Sequence, residues 1–129
     1  MKILIVDDDA VGRKSMRYIL SEYGECCING NAEEAILAFI KAWNDWRPFS
    51  LIILDIGLPD MSGVELLSRI RQLEEEKNIP EEERVKIIMV TSHSDKDRVM
   101  ACFKAGCNEF VVKPTDKEMM AAKLANIGL

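Results

Sequence analysis

A chain of 129 residues is most simply one domain, residues 1–129, burying about two thirds of its unfolded surface around a single core. Apolar residues make up 48% and charged residues 30%, the balance of an ordinary globular chain, and a formal net charge of −5 without a Lys/Arg stripe argues against a nucleic-acid surface. No apolar stretch approaches the roughly 20 residues of a membrane span, and the chain enters a strand at once, leaving no room for a signal peptide; the protein is expected in the cytoplasm.

Apolar runs of strand length alternate with segments of helical period, which predicts βαβ units and a parallel sheet. Ile3-Leu4-Ile5-Val6 is the first strand and runs into Asp7-Asp8-Asp9. A helix follows Asp9, with Met16, Ile19, Leu20 and Tyr23 on one face and Gly24 as its stop. Asp9 is better placed to cap this helix than to ligate a metal. A short second strand lies around Glu25–Ile28, and Asn31 with Glu34 forms a capping pair for a helix reaching about Trp46. Arg47-Pro48-Phe49 breaks that helix before the third strand, Leu51-Ile52-Ile53-Leu54, which ends in Asp55.

Gly57-Leu58-Pro59-Asp60 is a loop. Ser62 and Glu65 form a capping box for a third helix carrying Leu66, Leu67, Ile70 and Leu73. The charged run Lys77–Arg84 reads as a solvated loop before the fourth strand, Val85–Val90, which leads into Thr91-Ser92. Ser94 can cap a fourth helix that Gly106 terminates. Phe110-Val111-Val112 is the fifth strand and runs into Lys113-Pro114. Thr115 and Glu118 form a capping box for a last helix with Met120, Leu124 and Ile127 on one face. Of the four cysteines, Cys26 and Cys27 are adjacent and Cys102 and Cys107 lie in another segment, and neither pair has metal-ligand spacing. They read as reduced packing thiols, with a redox or zinc role the lesser reading.

Right-handed crossovers place helices on both faces of such a sheet, and ligands bind outside the carboxyl ends of its strands. Asp7, Asp8, Asp55, Thr91 and Lys113 all fall at those ends. Acids, a hydroxyl and a lysine on one edge suit a metal ion and a phosphoryl group.

In order and spacing these residues resemble the receiver domain of bacterial two-component response regulators, the kind that includes the chemotaxis receiver. The resemblance spans essentially the whole chain, and the segment Asp55–Gly63 looks like the loop after the phosphorylated aspartate of that family. It implies a flavodoxin-like doubly wound sheet of five parallel strands in order 2-1-3-4-5 with five helices. It also implies Mg²⁺ held by Asp8, Asp55 and the backbone carbonyl of Gly57, with Asp7 helping, often through water. Asp55 would be the phosphoacceptor, Lys113 would offset charge on the phosphoryl group, and Thr91 would hydrogen-bond a phosphate oxygen near the Ser92 amide. Three crowded carboxylates repel one another, and a hard divalent cation relieves that repulsion through oxygen ligands. The Lys113–Pro114 bond is expected to be cis. His93 lies where receiver side chains influence phosphoryl lifetime, though an exposed loop histidine is the plainer reading.

Two positions depart from common receivers. Phe110, where an aromatic or histidine changes rotamer on activation, keeps the ring but lacks a hydroxyl. Gly57 places no side chain over Asp55. The expected function is a phosphoacceptor switch rather than an enzyme: phosphate arrives from a histidine kinase or histidine phosphotransfer protein, and the affinity for an output protein changes. It would catalyse its own phosphotransfer and its own dephosphorylation. The alternatives are a receiver cut from a longer regulator, which the end at Leu129 leaves open, and a haloacid-dehalogenase-like phosphatase. That second family places another acid two residues after its nucleophile, where this chain has Gly57. A flavodoxin-like electron carrier would find Asp7-Asp8-Asp9 repelling its flavin phosphate.

Overall fold

The apolar runs become strands of one parallel sheet in the computed structural model, which describes residues 1–92 and 96–129. In chain order the elements are β1 (Lys2–Val6), α1 (Ala10–Leu20), β2 (Glu25–Asn29), α2 (Ala32–Asn44), β3 (Leu51–Asp55), α3 (Gly63–Glu76), a 3-10 turn over Glu81–Glu83, β4 (Lys86–Thr91), α4 (Lys96–Ala105), β5 (Glu109–Val112) and α5 (Lys117–Asn126). The sheet order is β2-β1-β3-β4-β5, every neighbouring pair parallel, as expected for a doubly wound flavodoxin-like sheet.

Central strands covered on both faces must be apolar at every position, which is why β1, β3 and β4 read as unbroken Ile/Leu/Val/Met runs. Period-two alternation then divides them. Leu4, Val6, Ile52, Leu54, Ile87 and Met89 face α2, α3 and α4 through Phe39, Leu66, Leu67, Ile70 and Cys102. Ile3, Ile5, Ile53, Ile88, Val90 and Val111 face α1 and α5 through Met16, Ile19, Leu20, Met120 and Leu124. The helix faces picked out by periodicity are therefore the buried ones, with Tyr23 and Ile127 packed at the margin.

Helix starts follow side-chain capping. Asp9 accepts from the Val11 amide, Asn31 from the Glu34 amide and Ser62 from the Glu65 amide. The last helix differs from expectation: Asp116, not Thr115, caps it, accepting from the Met119 amide at 2.8 Å. An aspartate next to the first turn outcompetes a hydroxyl one residue earlier, since its full charge also meets the positive end of the helix. Among the described residues the buried Thr115 Oγ1 has no hydrogen-bond partner.

Helix α1 stops at Leu20, before Gly24, whose hydrogen instead faces the Met1 carbonyl where a Cβ would collide. Helix α2 ends at Asn44 and Trp46 takes φ 60°, so the turn is tighter than expected. Gly106, with φ 107°, does stop α4. The segment Lys77–Arg84 is mostly exposed but contains the 3-10 turn. Its neighbour Glu74 is buried, which the charge pattern did not suggest: it pairs with Arg71 at 2.7 Å and accepts from the Val85 amide at 2.8 Å. Arg71 also donates to the Val85 and Gly106 carbonyls and to Asn108, tying α3 to β4 and to the turn before β5. The proposed cap Ser94 lies outside the described residues.

Candidate functional site

Strand register brings the predicted residues to one level. Val6 pairs with Leu54, so Asp7 lies beside Asp55; Asp55 pairs with Val90, one residue before Thr91; Thr91 pairs with Val112, one residue before Lys113. The Lys113 amide closes this row by donating to the Thr91 carbonyl at 2.7 Å. All four are thus held by backbone at the carboxyl edge of the sheet, and Asp8 follows directly on Asp7.

Asp7, Asp8 and Asp55 each present a carboxylate oxygen, and these oxygens lie within 4.8 Å of one another. Asp7 is buried, Asp55 half-buried and Asp8 exposed, so the cluster opens to solvent on one side. Lys113 Nζ stands 3.1 Å from Asp7 Oδ2 and 3.5 Å from Asp55 Oδ2. Burial pushes the Asp55 carboxyl above the ordinary range; Lys113 works against this, and the Asp7 charge works with it. Burial alone would lower the pKa of Lys113, but its hydrogen bond to Asp7 and the charges of Asp55 and Asp7 outweigh that and raise it. The lysine is held as a cation between two acids.

The donor set fits a hard divalent cation such as Mg²⁺: oxygen ligands only, more negative charge than one lysine offsets, and an open side for water. Among the described residues it is the only such group of three or more potential ligands. The four cysteines are free and lie elsewhere, and burial foremost pushes Cys107 up to about 12, which leaves it an unreactive thiol.

Thr91 is 3% exposed at the end of β4. Phe110 pairs with Met89 across β4–β5 and packs, partly buried, against the α2–α4 side of the core. Gly57 is exposed, its amide 3.3 Å from Asp55 Oδ1, and a Cβ added there would meet nothing within 4 Å. The approach to Asp55 from that side is open. The Lys113–Pro114 peptide bond is cis. Asp9 caps α1, and its amide donates to Asp7 Oδ1 at 2.9 Å, so it orients an acid of the cluster rather than joining it. His93 lies outside the described residues.

Three supports of the site were not singled out from the sequence. Asp60 bridges the loop after β3 to the start of α2, accepting from the Ala32 and Glu33 amides at 2.9 and 3.0 Å, and those two bonds lower its pKa. Arg13 Nη1 donates to the Asp7 carbonyl at 2.8 Å, one helical turn into α1. Gly63 donates to the Ile56 carbonyl at 2.7 Å, and a Cβ there would strike the Asp55 carbonyl. Only the Gly63 position had a local signal, in its place directly after the Ser62 cap. The Asp60 contact spans 28 residues of sequence and follows from the fold alone.

The sequence model of the family described as response regulator receiver domain matches residues 3–125. The chain is 32% identical over 124 residues to chemotaxis protein CheY1 of Helicobacter pylori, covering 96% of this chain and 94% of that one. Among solved structures, a CheY-like response regulator receiver domain protein from Methanospirillum hungatei superposes with a TM-score of 0.78 at 32% identity, covering 98% and 91% of the two chains. The CheX–CheY–BeF3–Mg complex from Borrelia burgdorferi gives 0.81 at 25% identity, covering 100% and 90%. No helix among the described residues is long and apolar enough to cross a membrane.

Proposed function

This chain belongs to the response regulator receiver domain family, and on that premise we propose that it takes a phosphoryl group onto Asp55 and passes the signal on through an altered protein-binding face. The observation that carries the assignment is Lys113 Nζ placed against both Asp7 and Asp55, within a trio of carboxylates at the sheet edge. A receiver is a signalling switch, so its chemistry is done on itself.

In the proposed transfer, an Asp55 carboxylate oxygen attacks the phosphorus of a phosphohistidine on a kinase or phosphotransfer protein. The new O–P bond forms as the N–P bond breaks, and the electron pair stays on the donor imidazole nitrogen, which takes up a proton from water. Asp8, Asp55 and the Gly57 carbonyl would hold Mg²⁺, with Asp7 assisting, and the bound ion would supply positive charge to the transferring group. Lys113 is already aimed at the same oxygens and holds its proton, so it stabilises developing charge without rearranging. The Thr91 hydroxyl then hydrogen-bonds a phosphoryl oxygen beside the Ser92 amide. Gly57 leaves water a route to the phosphoryl group, which supports self-dephosphorylation.

Readout would run from Thr91 to Phe110. Drawing Thr91 toward the phosphoryl group frees space beside the Phe110 ring, and without a hydroxyl the ring responds to packing alone. The face of α4, β5 and α5 changes with it; it presents exposed Met100, Phe103, Val112 and Met119 to an output protein. The Borrelia burgdorferi relative was solved with CheX, beryllofluoride and Mg²⁺, and several relatives are named chemotaxis proteins, which favours a protein partner and a cytoplasmic setting. Amide NMR spectra with Mg²⁺, with and without beryllofluoride, test the route. Shifts should extend from Asp55 through Thr91 and Phe110 into Lys96–Ala105; shifts confined to the pocket, or running through α1, would refute it.

A further inference from the structure

The first turn of α2 is capped twice, once by the residue before it and once from far along the chain. Asn31 accepts from the Glu34 amide at 2.9 Å, which gives the helix a cap of its own. The amides of Ala32 and Glu33, which have no partner inside the helix, donate instead to Asp60 Oδ1 and Oδ2 at 2.9 and 3.0 Å. One carboxylate takes both donors, and they hold it ionised by drawing its pKa below the ordinary range. Helix α2 is a firm seat for this contact, since Ala32, Ala35, Phe39 and Ala42 are buried.

The loop that carries Asp60 has little else to hold it. Its base is fixed to the end of β3: the Gly63 amide donates to the Ile56 carbonyl at 2.7 Å, and Gly57 faces Ser62 in an isolated antiparallel bridge. Beyond that base, Gly57, Pro59 and Asp60 are exposed, and Leu58 and Met61 are only partly buried. Pro59 has no amide to donate, and the Leu58 amide makes only a long bond, 3.3 Å, to the Ile56 carbonyl. Gly57 has no side chain to pack, and no hydrogen bond among the described residues reaches its carbonyl. The direction of that carbonyl is therefore set by two attachments, the base of the loop and Asp60. An exposed cap adds modestly to a helix that already has one; the loop is the partner that depends on the contact.

We propose that Asp60 is a positioning residue for the metal site: by tying the tip of the loop to α2 it fixes the Gly57 carbonyl, and a divalent cation on that carbonyl tightens the tie in return. The inference rests on the reading of Asp8, Asp55 and the Gly57 carbonyl as Mg²⁺ ligands. Groups that aim a ligand without touching the metal commonly change its affinity by tenfold or more. The coupling is reciprocal by thermodynamic necessity, so whatever Asp60 contributes to Mg²⁺ affinity, bound Mg²⁺ contributes to the Asp60–α2 contact. The start of α2 thereby becomes a second place, besides the face of α4, β5 and α5, where the state of the acidic cluster is felt.

Amide NMR on the full chain, without phosphodonor, measures both sides of this coupling: Mg²⁺ affinity by titration, and hydrogen exchange at Ala32 and Glu33. Asp60→Ala should weaken Mg²⁺ binding about tenfold, and Asp60→Asn, which keeps one acceptor oxygen, should recover part of the loss. Asn31→Ala is the control for damage to the helix. It removes the other cap and should lower the melting temperature by roughly 4 °C, as Asp60→Ala does, yet change Mg²⁺ affinity by less than about twofold. In the wild type, saturating Mg²⁺ should slow exchange of the Ala32 and Glu33 amides by up to about tenfold; in Asp60→Ala, saturating Mg²⁺ should leave them unmoved. Unchanged affinity in Asp60→Ala, an equal loss in Asn31→Ala, or wild-type exchange indifferent to Mg²⁺ would each overturn the proposal. Asp8→Ala separates the two readings: if it loses Mg²⁺ while Asp60→Ala keeps it, only this inference falls, whereas a wild type that binds no Mg²⁺ brings down the metal assignment and this inference with it.

Discussion

Replacing Asp55 by asparagine should make the protein more stable when divalent cations are removed. The carboxylate oxygens of Asp7, Asp8 and Asp55 lie within 4.8 Å of one another, and at an effective dielectric near 20 two full charges at that separation repel by about 3.5 kcal/mol. Lys113 Nζ, 3.5 Å from Asp55, offsets about 5 kcal/mol on the same scale. Two repulsions against one attraction disfavour ionised Asp55, and because exposed Asp8 is screened the balance is on the order of 1–2 kcal/mol. At about 2.1 cal/mol/K per residue that corresponds to a rise of roughly 4–7 °C in melting temperature for Asp55→Asn in chelator.

The pH dependence has a definite sign. The folded-state pKa of Asp55 lies above its unfolded value, through burial first and the Asp7 charge next, against Lys113. The unfolded chain therefore releases this proton at lower pH. The group's contribution is greatest below the unfolded pKa and is lost as pH rises through the folded one. The advantage of Asp55→Asn should thus grow from acid to neutral pH and then level off. Calorimetry in chelator across that range measures it, and adding Mg²⁺ should raise the wild-type midpoint far more than the variant's. A variant that melts lower than wild type in chelator, or gains equally from Mg²⁺, would show that the carboxylates are not the crowded, cation-seeking group described.

Lys113→Ala should slow phosphorylation by a small-molecule phosphodonor by about a hundredfold, followed as the rate of mass gain; a loss under threefold would remove the lysine from the transfer. Thr91→Ala should still accept the phosphoryl group yet lose the beryllofluoride-induced shifts at Phe110, as NMR would show. Glu74→Ala should cost about 3–5 kcal/mol in denaturant titration, because it strands a largely buried Arg71, while Mg²⁺ affinity, measured by calorimetric titration, stays near wild type.

The sheet and its order were legible because each central strand is a short, unbroken apolar run and each helix shows a 3.6-residue face; Leu51–Leu54 and Met16–Leu20 are plain instances. The clustering of Asp7, Asp55, Thr91 and Lys113 was legible for one reason: in a parallel sheet, the residue after an apolar run lies at the carboxyl edge whatever the connection. What the sequence hid were contacts between distant segments. Asp60 looks like a turn aspartate, yet it completes the first turn of α2. Glu74 sits on a helix rich in charge and looks solvated, but Arg71 and the Val85 amide draw it inside. Thr115 and Asp116 are adjacent capping candidates, and only the path of the chain into α5 decides between them. Trp46 reads as the end of an amphipathic helix, and its left-handed turn becomes visible only in the backbone.

The most direct test of the central claim is the intact mass of the protein after incubation with Mg²⁺ and phosphoramidate or acetyl phosphate. Wild type should gain one phosphoryl group, lost on removal of Mg²⁺ from the incubation, and Asp55→Asn should gain none. A variant that labels as fully as wild type would mean that Asp55 is not the phosphoacceptor.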